Sequence, residues 1–280
     1  MSGSLSAIAV GFVSGVLSGL FGIGGGLITT PAIRLLLGYG ELIAVGTPLP
    51  VILPGAITGA VTYYRRGSAD LRAGLTMGVV GALGSVGGAL LSDRAGGTVV
   101  LLATSALIVW AAADMLLQER AASAKRAARE AVPLATLGEG ESDEALVPAG
   151  EPPHGRIAAW KIVAIGLAAG VYSGFLGLGG GFIVVPALTR YCGVTVKRAI
   201  GTSLVTVAVL AIPGTIAHSQ LGHIDWPLAL LLAIGVVPGA ALGARLTKHA
   251  TDRAMRLAFS ALLIVVGVWL AANELPAMRF

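Results

Sequence analysis

Charge is scarce in this chain. Asp, Glu, Lys and Arg make up 12% of its 280 residues, where a soluble domain carries about 25%. Aromatic residues reach only 5% and do not interleave with basic runs in the way that stacks and neutralises single strands. Nucleic acid is therefore not an expected partner, and the formal charge of +5 belongs to loops. The lone cysteine, Cys192, excludes an intrachain disulfide and a cysteine-rich metal site. No His-Glu-x-x-His, phosphate-loop or paired-aspartate pattern occurs, so neither metal nor cofactor is expected. The opening Met1-Ser2-Gly3-Ser4 lacks the basic region of a signal peptide, and no cleavage is expected.

What the chain has is apolar length. Hydrophobic residues are 55% of it, its mean hydropathy is +0.86, and windows such as Ile43–Tyr64 and Ala73–Leu91 contain no charge. As helices such windows span the ~30 Å hydrocarbon core of a bilayer. The apolar period is helical, which argues against a β-barrel. The expected fold is an all-α polytopic membrane protein.

One glycine-rich stretch occurs twice, as Gly22-Ile23-Gly24-Gly25-Gly26-Leu27-Ile28-Thr29-Thr30-Pro31 and as Gly177-Leu178-Gly179-Gly180-Gly181-Phe182-Ile183-Val184-Val185-Pro186. Glycine costs a helix about 1 kcal/mol relative to alanine, so three in succession predict a break. In lipid, broken backbone survives only where protein buries it or where it lines a cavity. A doubled break in an apolar chain points to a transport site.

Subtracting 155 lays the second half on the first without a gap. Gly15, Ser18, Gly19, Pro31, Ala44, Thr47, Gly59, Asp70, Gly84 and Gly88 meet Gly170, Ser173, Gly174, Pro186, Ala199, Thr202, Gly214, Asp225, Gly239 and Gly243. We read residues 1–117 as a first transmembrane repeat, 118–161 as a linker and 162–280 as a second repeat. Each repeat has a glycine-broken hairpin of short helices followed by three full-length helices. The first has Leu5–Leu20, Leu27–Leu37, Ile43–Tyr64, Ala73–Leu91 and Thr98–Leu117. The second has Ile162–Leu176, Phe182–Cys192, Ala199–Ser219, Trp226–Ala244 and Leu257–Ala272. These are ten apolar segments, four of them short. Asp70 and Asp225 read as helix N-caps, and Gly84/Gly88 and Gly239/Gly243 as close-packing pairs. In the linker, Glu119–Glu130 suits a surface helix, and the Gly/Glu/Pro-rich remainder reads as flexible.

Basic residues set the orientation. Arg65, Arg66 and Arg72 crowd one loop of repeat 1, whereas Arg190, Lys197 and Arg198, then Arg245, Lys248, Arg253 and Arg256, crowd the opposite loops of repeat 2. With the basic linker, these are cytoplasmic by the positive-inside rule. The repeats are then inverted, and both termini lie outside a multi-pass cell membrane protein. A short helix of eleven residues is about 16 Å long, so each break should lie near mid-membrane.

Helix N-termini at the glycine runs present unpaired N–H groups and a positive dipole end, a fit for a small anion. The expected contacts are Gly24, Gly25, Gly26, Gly179, Gly180 and Gly181, with hydroxyls from Ser18, Thr47, Ser173, Thr202 and Ser203. Arg34 either meets the anion or snorkels to the interface. Asp114 is placed at the cytoplasmic interface, and His218 and His223 in solvent beside an outer loop. An intramembrane hydrolase would need Gly-x-Ser-Gly and a deep histidine base. Here Ser18 and Ser173 follow Leu17 and Tyr172 without the leading glycine.

The motif Gly15-x-x-Ser18-Gly19-x-x-Gly22-x-Gly24-Gly25-Gly26-x-x-x-x-Pro31, its twin from Gly170 to Pro186, and Ala199-x-Gly201-Thr202-Ser203 after Lys197-Arg198 resemble the sulfite exporter TauE/SafE permeases. Repeat 1 reads Thr47-Pro48 where repeat 2 reads Thr202-Ser203. The resemblance implies a multipass transporter of sulfite, sulfoacetate or a related organosulfur anion. The expected function is a secondary transporter, an exporter, working by alternating access. A passive anion channel and a membrane assembly factor are the alternatives. Bilayer lipid and the anion are the expected partners; self-association is left open.

Overall fold

A computed structural model describes residues 2–130 and 158–274, and all regular structure among them is helical. In chain order the helices are α1 (Ser2–Phe21), α2 (Gly26–Pro31, prolonged by a π-helical turn Ala32–Leu36), α3 (Glu41–Gly46), α4 (Pro48–Tyr64), α5 (Leu71–Ala95) and α6 (Gly97–Glu130). Then follow α7 (Ala159–Leu176), α8 (Gly181–Cys192), α9 (Val196–Gln220), α10 (Trp226–Leu246) and α11 (Asp252–Glu274). Among the described residues, seven helical stretches are long and apolar enough to cross a membrane. The protein is a multi-pass, all-α membrane protein.

Several boundaries differ from the sequence reading. The Ile43–Tyr64 segment is interrupted at Thr47, because Pro48 and Pro50 begin α4 without amide donors. The first arms of the two hairpins are longer than expected: α1 has 20 residues and α7 has 18, each enough to span. Only the second arms are short. The helix expected at Thr98–Leu117 continues to Glu130, so Glu119–Glu130 prolongs α6 instead of forming a separate element. The flexible part of the linker expected after it lies outside the described residues.

Each half lends its first helix to the other. Helix α1 packs along α10, where a Cβ on Gly15 or Gly19 would meet the backbone of Val236 or Ala240. Helix α7 packs along α5 in the same way: Gly170 faces Gly81 and Gly174 faces Ser85. Small residues let backbones touch, which supplies the dispersion energy that replaces hydrophobic driving force in lipid. Gly84 and Gly88 lie against Val171 and Phe175, and Gly239 and Gly243 against Phe12 and Val16, the close-packing role expected of them.

The middle of the bundle is α4 against α9. Gly59 lies against Leu204, Gly214 against Leu49 and Gly201 against Tyr63. As numbers rise on one helix they fall on the other, so these two helices, 155 positions apart in sequence, run antiparallel. The glycines with positive φ recur at the same spacing: 22, 24, 25, 38 and 67 are matched by 177, 179, 180, 193 and 222.

The N-caps are as expected. Ala73 N–H donates to the Asp70 carboxylate at 3.0 Å and Leu228 N–H to that of Asp225 at 2.9 Å. Asp225→Ala should lower stability by about 1 kcal/mol, read as an earlier midpoint in thermal unfolding. The basic segments gather at one end of the bundle. There Arg66 bonds the Ala244 carbonyl at 2.6 Å and Arg198 pairs with Asp70 at 3.3 Å. Glu41, Asp93, His223 and Asp225 lie toward the other.

Candidate functional site

The two glycine turns meet in the middle of the bundle. All residues from 22 to 27 and from 177 to 182 are buried. A Cβ on Gly26 would sit 2.7 Å from the Cα of Leu178, and one on Gly181 would overlap the Gly22 carbonyl and lie 3.0 Å from the Cα of Ile23. Both contacts are backbone against backbone, which only glycine permits. Gly24 and Gly179 each face the side chains of Ile52 and Val207, which hold equivalent places on α4 and α9. The crossing is closed on both sides by these two residues.

Positive φ explains why the turns take glycine at two positions. Gly25 has φ 92° and Gly180 φ 71°, and each occupies the N-cap of its short helix. The first amide of α2 to find a backbone acceptor is that of Ile28, and in α8 that of Ile183. The amides before them are the unpaired donors of a first helical turn. Their partial positive charge faces the crossing from both halves.

Ser18 and Ser173 stand one turn before these breaks. Both hydroxyls are buried and neither has a hydrogen-bond partner. A buried, unpaired hydroxyl costs about 1–3 kcal/mol, so its persistence here calls for a reason. Gly25 lies close to Ser18, with 3.7 Å from its Cβ position to the Ser18 Cβ.

Of the remaining expected hydroxyls, two accept from backbone amides and one donates to a carbonyl. Asp225 N–H donates to Thr47 Oγ1 at 3.1 Å and Asp70 N–H to Thr202 Oγ1 at 3.0 Å. These are reciprocal ties between the halves. Ser203 donates to the Gly22 carbonyl and so fixes the first turn from α9; Pro48 occupies the matching place in α4 and cannot. Arg34 is 3.2 Å from Glu41, which also accepts from Thr98 at 3.0 Å, in a partly exposed cluster at the end of the bundle. That is the interfacial alternative of the two expected for it. Asp114 pairs with Arg190.

Two features were missed. Thr29 donates to Ser14 Oγ at 3.0 Å, and Thr30 Oγ1 is buried without a partner. The matching residues of α8 are Val184 and Val185, so the first hairpin is the more polar. The signal was legible: Thr-Thr in one copy of the motif and Val-Val in the other. The histidines are a correction. His218 and His223 are 0% and 5% exposed, packed together beneath the turn and not in solvent. Their burial follows from Gly46, which lets α3 lie directly against His223.

A bundle in which glycine-broken helices bring two amide-rich turns together, inside a multi-pass apolar shell, is the architecture of a membrane transporter. The match to known sequences agrees in class and sets the family. The sulfite exporter TauE/SafE model matches residues 7–270, and the chain belongs to that family. It is 27% identical over 267 residues to the probable membrane transporter protein YunE of Bacillus subtilis, covering 93% of this chain and 94% of YunE. A probable membrane transporter protein of Xylella fastidiosa is 26% identical, covering 96% and 97%. The probable membrane transporter protein MamO of Paramagnetospirillum magneticum is 29% identical over 93% of this chain but 43% of its own length. No solved structure matches. These relatives carry the name of probable membrane transporter, which points to a small-molecule substrate and a bilayer.

Proposed function

We propose that the protein is a secondary transporter that exports a small sulfur-containing anion, sulfite or an organosulfonate such as sulfoacetate. The observation that carries this reading is the contact between the two glycine turns, Gly26 on Leu178 and Gly181 on Gly22. Residues 1–117 and 162–280 act as inverted repeats in the cell membrane, with the basic end and the 118–161 linker cytoplasmic and both termini outside. The antiparallel packing of α4 on α9 supports that arrangement. Rocking of one repeat against the other parts Ile52 and Val207 from the turns and admits the anion to the amides of Gly24–Gly26 and Gly179–Gly181. The hydroxyls of Ser18 and Ser173 then gain the acceptor they lack in the closed form. Ser203 fixes the first turn through the Gly22 carbonyl, and Thr47 and Thr202 tie the two halves together. Sulfur specificity comes from the family.

Counterflow of labelled sulfite and sulfoacetate in proteoliposomes, against sulfate and carboxylates, tests the reading. Exchange that accelerates with substrate on the far side supports a carrier. Flux without counterflow, or no flux of any sulfur anion, rejects it. The double variant Ser18→Ala, Ser173→Ala separates binding from architecture. Removing unpaired hydroxyls takes away no bond, so the unfolding midpoint should stay within about 1 °C or rise. Transport should fall about tenfold or more, the loss of roughly 1.4 kcal/mol of interaction with the anion. Unchanged flux would remove the serines from the site.

A further inference from the structure

Away from the glycine turns, a groove opens on the outer side of the second half. Helices α6, α7 and α8 enclose a hollow of about 360 Å³ above Ala164, Ala168 and Ala187. The face of α7 that carries Gly166, Gly170 and Gly174 is closed by α5. No helix among the described residues fills the space over the alanines, and Ala164 is exposed. A second hollow of about 390 Å³ shares Trp110 with the first and runs on between α6 and α7 to Leu107, Tyr172 and Phe175. From Lys161 to Phe175, α7 rises about 21 Å. One leaflet of hydrocarbon is only ~15 Å deep, so the groove follows a lipid chain through its whole leaflet.

The walls are apolar along this length, and the charged groups collect at one mouth. There Lys161 Nζ donates to the Tyr191 carbonyl at 2.7 Å and lies 5.9 Å from the centre of the Trp160 ring. These contacts hold the ammonium over the groove, and the bond uses one of its three hydrogens. Asp114 pairs with Arg190, whose guanidinium lies 5.6 Å from the Tyr191 ring. Lys161 has no carboxylate partner among the described residues. Lys161 and Arg190 against Asp114 therefore leave a single positive charge. Trp160 and Tyr191 are 69% and 57% exposed, as aromatic rings at headgroup level are.

We propose that this groove binds an anionic phospholipid of the leaflet at the basic end, with its phosphate at Lys161 and one acyl chain laid along α6 and α7 toward Phe175. Charge selects this occupant. A zwitterionic lipid brings its own cation to the phosphate and leaves the ammonium uncompensated. An apolar helix from a second copy would cover the walls but leave Lys161 without a counter-ion. An anionic headgroup satisfies both mouth and walls. Ile183 and Pro186 of α8 line the same hollow, so the chain lies against the short helix that begins at the second glycine turn.

The other half shows that the site is not a by-product of the repeat. Subtracting 155 from Trp160, Lys161, Arg190 and Tyr191 gives Leu5, Ser6, Leu35 and Leu36, and adding it to Asp114 gives Trp269. The matching helices thus carry no charge at these places. Only the second half can choose a headgroup.

The test uses the full chain in phosphatidylcholine nanodiscs with Trp226 and Trp269 replaced by Phe, so that only Trp110 and Trp160 of the groove report. Phosphatidylglycerol brominated on its acyl chains is added as a minor component and compared with brominated phosphatidylcholine of the same chains. Quenching should show an about fivefold preference for phosphatidylglycerol, weakening at high salt. Lys161→Gln, which keeps a donor for Tyr191 without the charge, should bring the preference to near unity. Lys248→Gln removes the same charge from an exposed site at the same end and should leave it unchanged. Ala164→Phe fills the groove, touches no charge and should abolish the preference; Ala168→Leu serves if that variant does not fold. Equal quenching by the two lipids, a preference that survives Lys161→Gln or the filled groove, or equal loss in Lys248→Gln would overturn the site. So would displacement by soluble glycerol phosphate, which assigns the mouth to a free phosphate. Tryptophans shielded from both lipids in particles holding two copies would overturn it in favour of a second chain. No substrate enters these measurements, so they stand or fall apart from the sulfite assignment.

Discussion

Gly181→Val is expected to abolish transport while leaving the protein folded in the membrane. Gly181 is the first residue of α8, where any residue adopts the backbone angles. The substitution therefore meets no conformational penalty and gains slightly in helix propensity. Its whole cost is steric. The new Cβ overlaps the Gly22 carbonyl and forces the two turns apart. Overpacking of this kind costs about 1–3 kcal/mol, less than the ~5–15 kcal/mol that holds a domain together. Separation by an ångström at a positioning contact costs a rate about 100-fold. Gly26→Val should match it, since its Cβ would lie 2.7 Å from Leu178 Cα. Gly25→Ala is the informative control. Its φ of 92° resists any side chain by about 1–2 kcal/mol, but the nearest atom to its Cβ is Ser14 O at 3.5 Å. It should lower the melting temperature and keep much of the flux. Counterflow in proteoliposomes, with size-exclusion profiles of each variant, reads both effects. Full transport by Gly181→Val would show that the turn-to-turn contact is not the site.

Gly170→Val is expected to fail at the earlier step of folding. Two glycines meet there: a Cβ on Gly170 would overlap the Gly81 carbonyl oxygen and stand 2.6 Å from its carbon and 2.7 Å from its Cα. Neither neighbour is a flexible side chain, so relief requires α5 and α7 to separate along the whole seam. Gly166, Gly174, Gly84 and Gly88 share that seam, and with it the dispersion contacts that replace the hydrophobic effect in lipid. The loss exceeds a single overpacked site. Monodisperse protein extracted from membranes should fall more than about tenfold, with no recovery on adding substrate. Gly87→Ala, on the facing helix α5 with no atom within 4 Å of its Cβ, should be recovered at wild-type yield. Normal yield of Gly170→Val would mean that the α5–α7 seam is looser than its geometry.

Several elements were legible before any coordinates. The 155-residue register located the positive-φ glycines in both halves, because a left-handed turn leaves a glycine requirement in the sequence. Asp70 and Asp225 were readable as caps, since a cap is a local bond to the next turn. The glycine pairs of α5 and α10 announced close packing, though not with whom. The unpaired serines stood at matching places in the motif, but only coordinates show that their hydroxyls lack partners. That Thr47 and Thr202 also accept from the Asp225 and Asp70 amides was not legible, because those partners lie 178 and 132 residues away. The break before Pro48 was visible in the prolines but outweighed by the apolar run. His218 and His223 looked solvated because they flank a turn.

The sequence by itself determined that this chain is helical, crosses a membrane, and breaks its helices at two glycine runs. Composition, period and backbone conformation are local properties, and each residue carries its share of them. Tertiary structure alone decided that α1 belongs beside α10 and α7 beside α5, that the two runs touch, and that a histidine pair is buried against Gly174. Those contacts join residues far apart in the chain through shape and reciprocal bonding. No one-dimensional pattern encodes which small-residue face will meet which.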